Sequence, residues 1–370
     1  MMKMTHFARN GLGLLALASL VNPIWAASEM NLDHATRLDA DNPHIRYSGR
    51  SEGIGTDTVT FGHSGARVRL RFEGTSVGAW IDDESQKNYC MVWLDGEPGK
   101  KFQLNHENDF YTLAHDLEPG EHTVEVVRVT EGFLGLAHFK GFALDHDAEV
   151  LDWQTAHDRK IEFIGDSITC GYGVEANDPK EHFTPATENF CLGYSGLTAR
   201  RLDADYLVVS RSGIGMVRNY DGPYDGSDNA MPDIYPQTFY TETEPKWDFD
   251  RFTPDVVCIN LGTNDFSTTG VNVDNYVSAY VTFAGKVLDR YPEAELVVLE
   301  GPMNNSKELR AALDRVVDQL QEQAPERVHF VELSAQGELG YGADYHPNRA
   351  QSRRNADELT AYLADLMDWQ

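Results

Sequence analysis

Two rhythms of apolar and polar residues divide the chain. From about Asn42 to Asp145 short alternating runs are broken by turn residues. Eight segments read as strands: HIRYSGR, DTVTFGH, ARVRLRFEG, SVGAWIDD, NYCMVWLDGE, FYTLAHD, HTVEVVRVTE and LAHFKGFALD. Val68, Leu70 and Phe72 alternate with Arg69 and Arg71, the pattern of a half-buried antiparallel strand. Val124 and Val126 begin a similar alternation that changes phase at Val127 and Val129, which predicts a bulge or a strand buried on both faces. Asp95-Gly96 and Pro119-Gly120 supply turns. Short strands without a long helix predict an all-β, two-sheet sandwich of jelly-roll type, in which Trp80 and Trp93 pack the interior.

After Trp153 the period lengthens. Lys160–Gly165, Tyr206–Ser210, Pro254–Leu261, Ala294–Leu299 and Val328–Val331 read as strands. Helical patterns over Tyr194–Leu202, Val273–Leu288, Ser306–Gln323 and Asn348–Met367 are interleaved with them. Strands alternating with helices predict an α/β/α domain around a parallel sheet. The expected division is a β-sandwich over 27–154 and an α/β domain over 155–370.

The first 26 residues fit neither rhythm. Lys3 and Arg9 precede an apolar run from Gly11 to Val21, and Ala26 and Ala27 offer a cleavage point. This predicts a signal peptide over 1–26 and a secreted or periplasmic protein; the run is too short to span a bilayer. The composition then narrows the partners. Asp+Glu 59 against Lys+Arg 31 leaves a net charge of -28, which opposes binding to nucleic acid or to an anionic membrane surface. A neutral or cationic ligand, or one small enough to be bound locally, fits better. Of the four cysteines, Cys170 and Cys191 flank one loop-like stretch and make the preferred disulfide pair. Cys258 lies in a strand pattern and reads as a buried thiol.

Polar islands stand where a parallel sheet gathers its chemistry, beyond the carboxyl ends of strands. They are Gly165-Asp166-Ser167-Ile168-Thr169, Ser212-Gly213-Ile214-Gly215 and Gly262-Thr263-Asn264-Asp265, followed near the end by Asp344-Tyr345-His346-Pro347. No GxxxxGK[ST] or GxGxxG spacing supports a phosphate cradle in the first loop. Singly, each island is explained by a helix cap or a turn. Together they supply a serine, a histidine to take its proton, and small residues whose N–H groups can face an oxyanion.

In this order the four islands resemble the blocks of the SGNH, or GDSL-like, hydrolase superfamily, from about Lys160 to the C-terminus. The resemblance implies Ser167 as nucleophile and His346 as base. It also implies an oxyanion hole from the Ser167 and Gly213 N–H groups and the Asn264 amide, and ester hydrolysis through an acyl-serine. One position departs from the family pattern. The usual acid three residues before the histidine is replaced by Ala343, while Asp344 lies two before it. Asp344 is the expected orienting acid; the alternatives are a Ser–His dyad oriented by a backbone carbonyl, or a carboxylate from elsewhere.

An all-β domain followed by a hydrolase domain opening IEFIGDSITCGYG is similar to carbohydrate esterase family 2, including the strands FEGTSVGAWIDD and MVWLDGE. That resemblance implies removal of O-acetyl groups from plant cell-wall polysaccharides such as xylan or glucomannan. The expected partner is thus an acetylated polysaccharide or oligosaccharide. A lipase or arylesterase on small acyl esters, or a non-catalytic carbohydrate-binding protein, are the alternatives. Candidate sugar platforms are Tyr220, Tyr224, Tyr235, Tyr240 and Trp247. The acidic runs 145–149 and 221–228 lack EF-hand spacing. A monomer with no cofactor and no metal is expected.

Overall fold

In the computed structural model, which describes residues 30–369, the alternating part of the chain forms two antiparallel sheets packed face to face. The expected signal segment 1–26 lies outside the described residues. One sheet runs Ser51–Glu52, Val59–Phe61, Ala137–Asp145, Val77–Asp82, Phe110–Ala114, with Ala35–Asp39 also paired to Ala137–Asp145. The other runs Glu149–Leu151, Arg67–Gly74, Gly120–Arg128, Tyr89–Leu94, Glu97–Gln103, with Arg46–Ser48 joined to Arg67–Gly74. Val68, Leu70, Phe72, Val124 and Val126 meet Phe139 and Phe142 between the sheets. This is the expected jelly-roll sandwich.

The second part forms a five-stranded parallel sheet in the order Asp205–Ser210, Lys160–Gly165, Val256–Asn260, Glu295–Glu300, Val328–Glu332. Alternate residues of each strand serve opposite faces. Ile164, Val257, Ile259 and Val298 pack under helices Val273–Arg290 and Lys307–Gln323. Ile161, Phe163, Cys258 and Val297 pack under Tyr194–Arg201 and Arg349–Leu366. Side chains of Asn272, Ser306 and Asn348 accept backbone N–H bonds at the starts of the three long helices, which explains why those helices begin there.

The sandwich and the parallel sheet share a core. Val127 and Val129 pack with Ile161, Phe163 and Tyr206 rather than inside the sandwich. The pairing of Gly120–Arg128 with Arg67–Gly74 has no register break, so the phase change at Val127 marks a strand covered on both sides, not a bulge. Trp93 also corrects its expectation: it belongs to this shared core, with the Arg200 guanidinium 3.6 Å above its ring. Of the two arginines expected on the polar face, Arg71 stays partly exposed beside Glu121, whereas Arg69 is buried, as is Arg67. Arg67 pairs with Glu125 and with Asp205 of the second sheet, and Arg69 reaches Asp205 at 3.4 Å. Fully buried Arg50 lies 3.6 Å from Glu162 and donates to the carbonyls of Tyr235 and Gln237.

All four cysteines are free and buried, so the expected Cys170–Cys191 disulfide is absent. The two thiols face different surroundings: Cys170 Sγ lies 3.2 Å from Ser210 Oγ, whereas Cys191 sits in the shared core beside Trp93. Among the described residues no helix is long and apolar enough to cross a membrane.

Candidate active site

The strand Lys160–Gly165 delivers Ser167 to the carboxyl edge of the parallel sheet. Asp166 caps the short helical turn Ser167–Cys170 by accepting the Ile168 N–H at 3.0 Å. Ser167 Oγ then lies 2.8 Å from His346 Nε2, although 179 positions separate them in the chain. Gly173 permits this meeting. Its φ is +58°, a Cβ there would lie 2.5 Å from Ala343 Cβ, and its carbonyl accepts the Ala343 N–H at 3.1 Å.

The far side of the imidazole corrects an expectation. His346 Nδ1 is 3.2 Å from the backbone carbonyls of both Ala343 and Asp344, and the Asp344 carboxylate does not touch the ring. Asp344 and Tyr345 both have positive φ, +47° and +61°. That kink turns the backbone carbonyls toward the histidine and the carboxylate away from it. Asp344 instead accepts from Tyr172 O–H and Phe183 N–H at 2.8 Å each and contacts His182 Nδ1 at 2.9 Å. Tyr172 in turn lies against His346, ring centroids 4.0 Å apart, with Phe183 stacked on its other side at 4.3 Å. The arrangement is a Ser–His pair oriented by main-chain carbonyls, one of the alternatives the offset left open.

Two more loops close over the serine. Gly213, with φ +74°, follows the strand Asp205–Ser210, and Asn264 follows Val256–Asn260. Among the described residues neither the Ser167 N–H nor the Gly213 N–H has an internal acceptor. Asn264 Nδ2 donates to Ile214 O at 2.8 Å and, less closely, to Asp166 Oδ2 at 3.2 Å. The longer contact is the one a developing oxyanion would compete for. Asp265, beside it, is structural: its buried carboxylate accepts the N–H groups of Met216, Val217 and Arg218 at 2.8–2.9 Å and so shapes the loop after Gly213.

The electrostatics favour a neutral base. Burial disfavours the imidazolium and holds the His346 pKa down at about 4, against the opposing pull of the Asp344 and Ala343 carbonyls and the Asp344 charge. Burial also lifts Asp166 to about 7, aided by the charges of Asp265 and Glu131. Glu131 and Glu188, both fully buried, are raised by burial as well. With Cys170 they form the only group of potential metal-ligand side chains among the described residues close enough to share an ion. Both Glu131 oxygens are already taken by Ser212, however, so this cluster is built as a hydrogen-bonded support. Asp145 of the first acidic run likewise serves a turn, accepting the Thr75 and Ser76 N–H groups at 3.0 Å.

The serine, histidine, Gly213 and Asn264 open into one cavity of about 780 Å³. Tyr220 and Tyr240 line it, and Tyr220 is 62% exposed. Tyr224 is exposed but does not line the cavity. Tyr235 and Trp247 correct their expectation as sugar platforms, being buried in the core under the sheet. They hold Arg50, whose guanidinium sits 4.9 Å from the Tyr235 ring and 5.4 Å from the Trp247 ring. Sequence reasoning missed Phe133, Tyr172 and Arg211, which also line the cavity. Tyr172 was visible as the middle residue of GYG in the nucleophile block. Phe133 comes from the sandwich, and no local signal placed it at a site built by the other half of the chain.

Comparison with known proteins agrees with this architecture. Residues 47–153 match the family model "Carbohydrate esterase 2 N-terminal", and residues 163–354 match the "GDSL-like Lipase/Acylhydrolase family". The cellulase/esterase CelE of Acetivibrio thermocellus is 36% identical over 335 residues, 90% of this chain, which spans 40% of the length of that larger protein. An acetylxylan esterase / glucomannan deacetylase of Cellvibrio japonicus is 30% identical over 90% of this chain and 91% of its own length. The structure of a family two carbohydrate esterase from Clostridium thermocellum in complex with cellohexaose superposes with a TM-score of 0.83 at 34% identity, over 88% of this chain and all of the other.

Proposed function

The chain belongs to carbohydrate esterase family 2, and from that footing we propose that it removes O-acetyl groups from plant cell-wall polysaccharides, xylan or glucomannan, through an acetyl-serine intermediate. The observation that carries the reading is the 2.8 Å contact between Ser167 Oγ and His346 Nε2 inside the cavity. In the first half-reaction Ser167 Oγ attacks the acetyl carbonyl carbon while His346 Nε2 takes the hydroxyl proton. The Ser167 and Gly213 N–H groups and the Asn264 amide stabilise the negative oxygen of the tetrahedral intermediate. As the intermediate collapses, the bond to the sugar oxygen breaks and His346 returns the proton to that oxygen. In the second half His346 takes a proton from water, the resulting oxygen nucleophile attacks the acetyl-serine, and acetate leaves as Ser167 regains its proton.

A base held down at about 4 is neutral in the working range, which suits its part in both halves. Tyr220 and Tyr240 offer aromatic faces beside the serine for a sugar ring. The reading includes export, secreted or periplasmic, because the polymer lies outside the cell. The test is acetate release from acetylated xylan and acetylated glucomannan by the wild type and by Ser167→Ala, alongside p-nitrophenyl esters of increasing chain length. The expected result is acetate from at least one polymer, a loss of about 10⁴-fold or more in the variant, and a preference for acetyl over long chains. Preference for long acyl chains would point to a lipase, and sugar binding without acetate release to a carbohydrate-binding protein.

A further inference from the structure

The sandwich sends one fully buried carboxylate into the active site. Glu131 lies just after the strand Gly120–Arg128, and both its oxygens bind one residue of the other half of the chain. Oε2 accepts the Ser212 N–H at 2.5 Å and Oε1 accepts the Ser212 hydroxyl at 2.6 Å. A carboxyl group that holds the N–H and the side chain of one residue through its two oxygens fixes that residue's backbone and rotamer together. The next N–H along the chain is that of Gly213. Glu131 is itself anchored: its N–H donates to Glu188 Oε2 at 3.0 Å, and its carbonyl accepts from Arg128 Nη2 at 2.9 Å.

The other ties of this loop lie within the parallel-sheet half. Asn219 accepts the Gly215 N–H, and Asp265 accepts those of Met216 to Arg218, all after the Gly213 turn. Arg211 Nε donates to Ser212 O at 2.8 Å and the Gly213 carbonyl accepts from Tyr220 N–H, so both of those contacts hold carbonyls. The Ile214 N–H closes the turn on Arg211 O at 3.3 Å, but among the described residues Glu131 alone holds the donor side of Ser212.

We propose that Glu131 is a positioning residue for the oxyanion turn: by holding Ser212 through its N–H and its hydroxyl, it aims the Gly213 N–H at the acetyl carbonyl oxygen. The sandwich thereby completes a site that the hydrolase half builds only in part. This rests on the serine-esterase reading above.

The test uses the full chain with p-nitrophenyl acetate, an ester that needs no polymer binding. It compares wild type, Glu131→Gln, Ser212→Ala and the double variant. Ser212 presents two donors to two separate oxygens, and Glu131→Gln leaves only one acceptor, so it should lower kcat about a hundredfold, the scale of losing one oxyanion donor, with KM changed by less than about twofold. Ser212→Ala keeps the N–H bond and loses the hydroxyl one, so its loss should be smaller, about tenfold. The double variant should be no worse than Glu131→Gln, because both act through one contact. Labelling of Ser167 by a phosphonate, whose tetrahedral adduct places an oxygen in the hole, should slow in parallel with kcat. A folded Glu131→Gln with kcat within about threefold of wild type would overturn the proposal. So would additive losses in the double variant, or labelling that does not slow. If Glu131→Gln fails to fold, Ser212→Ala decides alone, and unchanged kcat there refutes the idea. A wild type that does not cleave the ester refutes the esterase reading instead.

Discussion

Replacing Asp344 by Asn separates the two ways a serine hydrolase can hold its histidine. Asn tolerates the left-handed backbone that position 344 adopts, φ +47°, and preserves the side chain's shape. If a carboxylate oriented His346 and stabilised the imidazolium, its loss would cost about 10⁴-fold in kcat, roughly 5.5 kcal/mol. Here the groups 3.2 Å from His346 Nδ1 are main-chain carbonyls, which the substitution leaves in place. What it removes is a charged acceptor for Tyr172 O–H, Phe183 N–H and His182. The amide oxygen can still accept, so the expected effect on kcat is below about tenfold, less than about 1.4 kcal/mol. The cost should appear in stability, about 1–3 kcal/mol from weakening bonds to a charged group, and be read as a lower Tm. The assay is kcat and KM on p-nitrophenyl acetate with a parallel thermal melt. A loss beyond a thousandfold with an unchanged melt would refute the reasoning and return the carboxylate to the imidazole.

His346 should remain neutral to about pH 5 and take up its proton near 4 in an NMR titration of the wild type, because burial disfavours the imidazolium; a midpoint near the ordinary 6.5 contradicts this. An unfolded chain protonates the same histidine near 6.5, so this group removes stability as pH falls between those values and restores it as pH rises. Trp247→Ala should cost about 3–5 kcal/mol of stability, by denaturant melt, without changing KM for a polymer, since the ring is buried around Arg50. Tyr220→Ala should do the reverse, leaving the melt unchanged and raising polymer KM about fivefold, the equivalent of roughly 1 kcal/mol of lost ring stacking. All four cysteines should titrate as thiols on denaturation without reductant and stay unreactive in the native protein; reductant-dependent thiols would restore a disulfide.

The two layer architectures and the loops that carry the chemistry are legible in the order of residues alone. Periods of two and of about 3.6 residues report whether one side of a segment is apolar, and the helices begin where Asn272, Ser306 and Asn348 offer caps. The parallel strands end where the polar islands start, which by itself puts Ser167, Gly213 and Asn264 at one sheet edge. The phase change at Val127 left a bulge or a strand buried on both faces open, and period could not show what covers the second face of Gly120–Arg128, nor that Arg67 and Arg69 point into charged partners rather than water. The arginine pairings depend on Asp205, more than 130 positions away. The same distance hid the roles of Tyr235 and Trp247, since an aromatic ring reads alike whether it faces sugar or a buried guanidinium. Asp344 was misread for a more local reason. Its offset from His346 is fixed by sequence, but the direction of its carboxylate is set by two successive positive φ angles and by Tyr172 and Phe183, which only the folded chain brings to it.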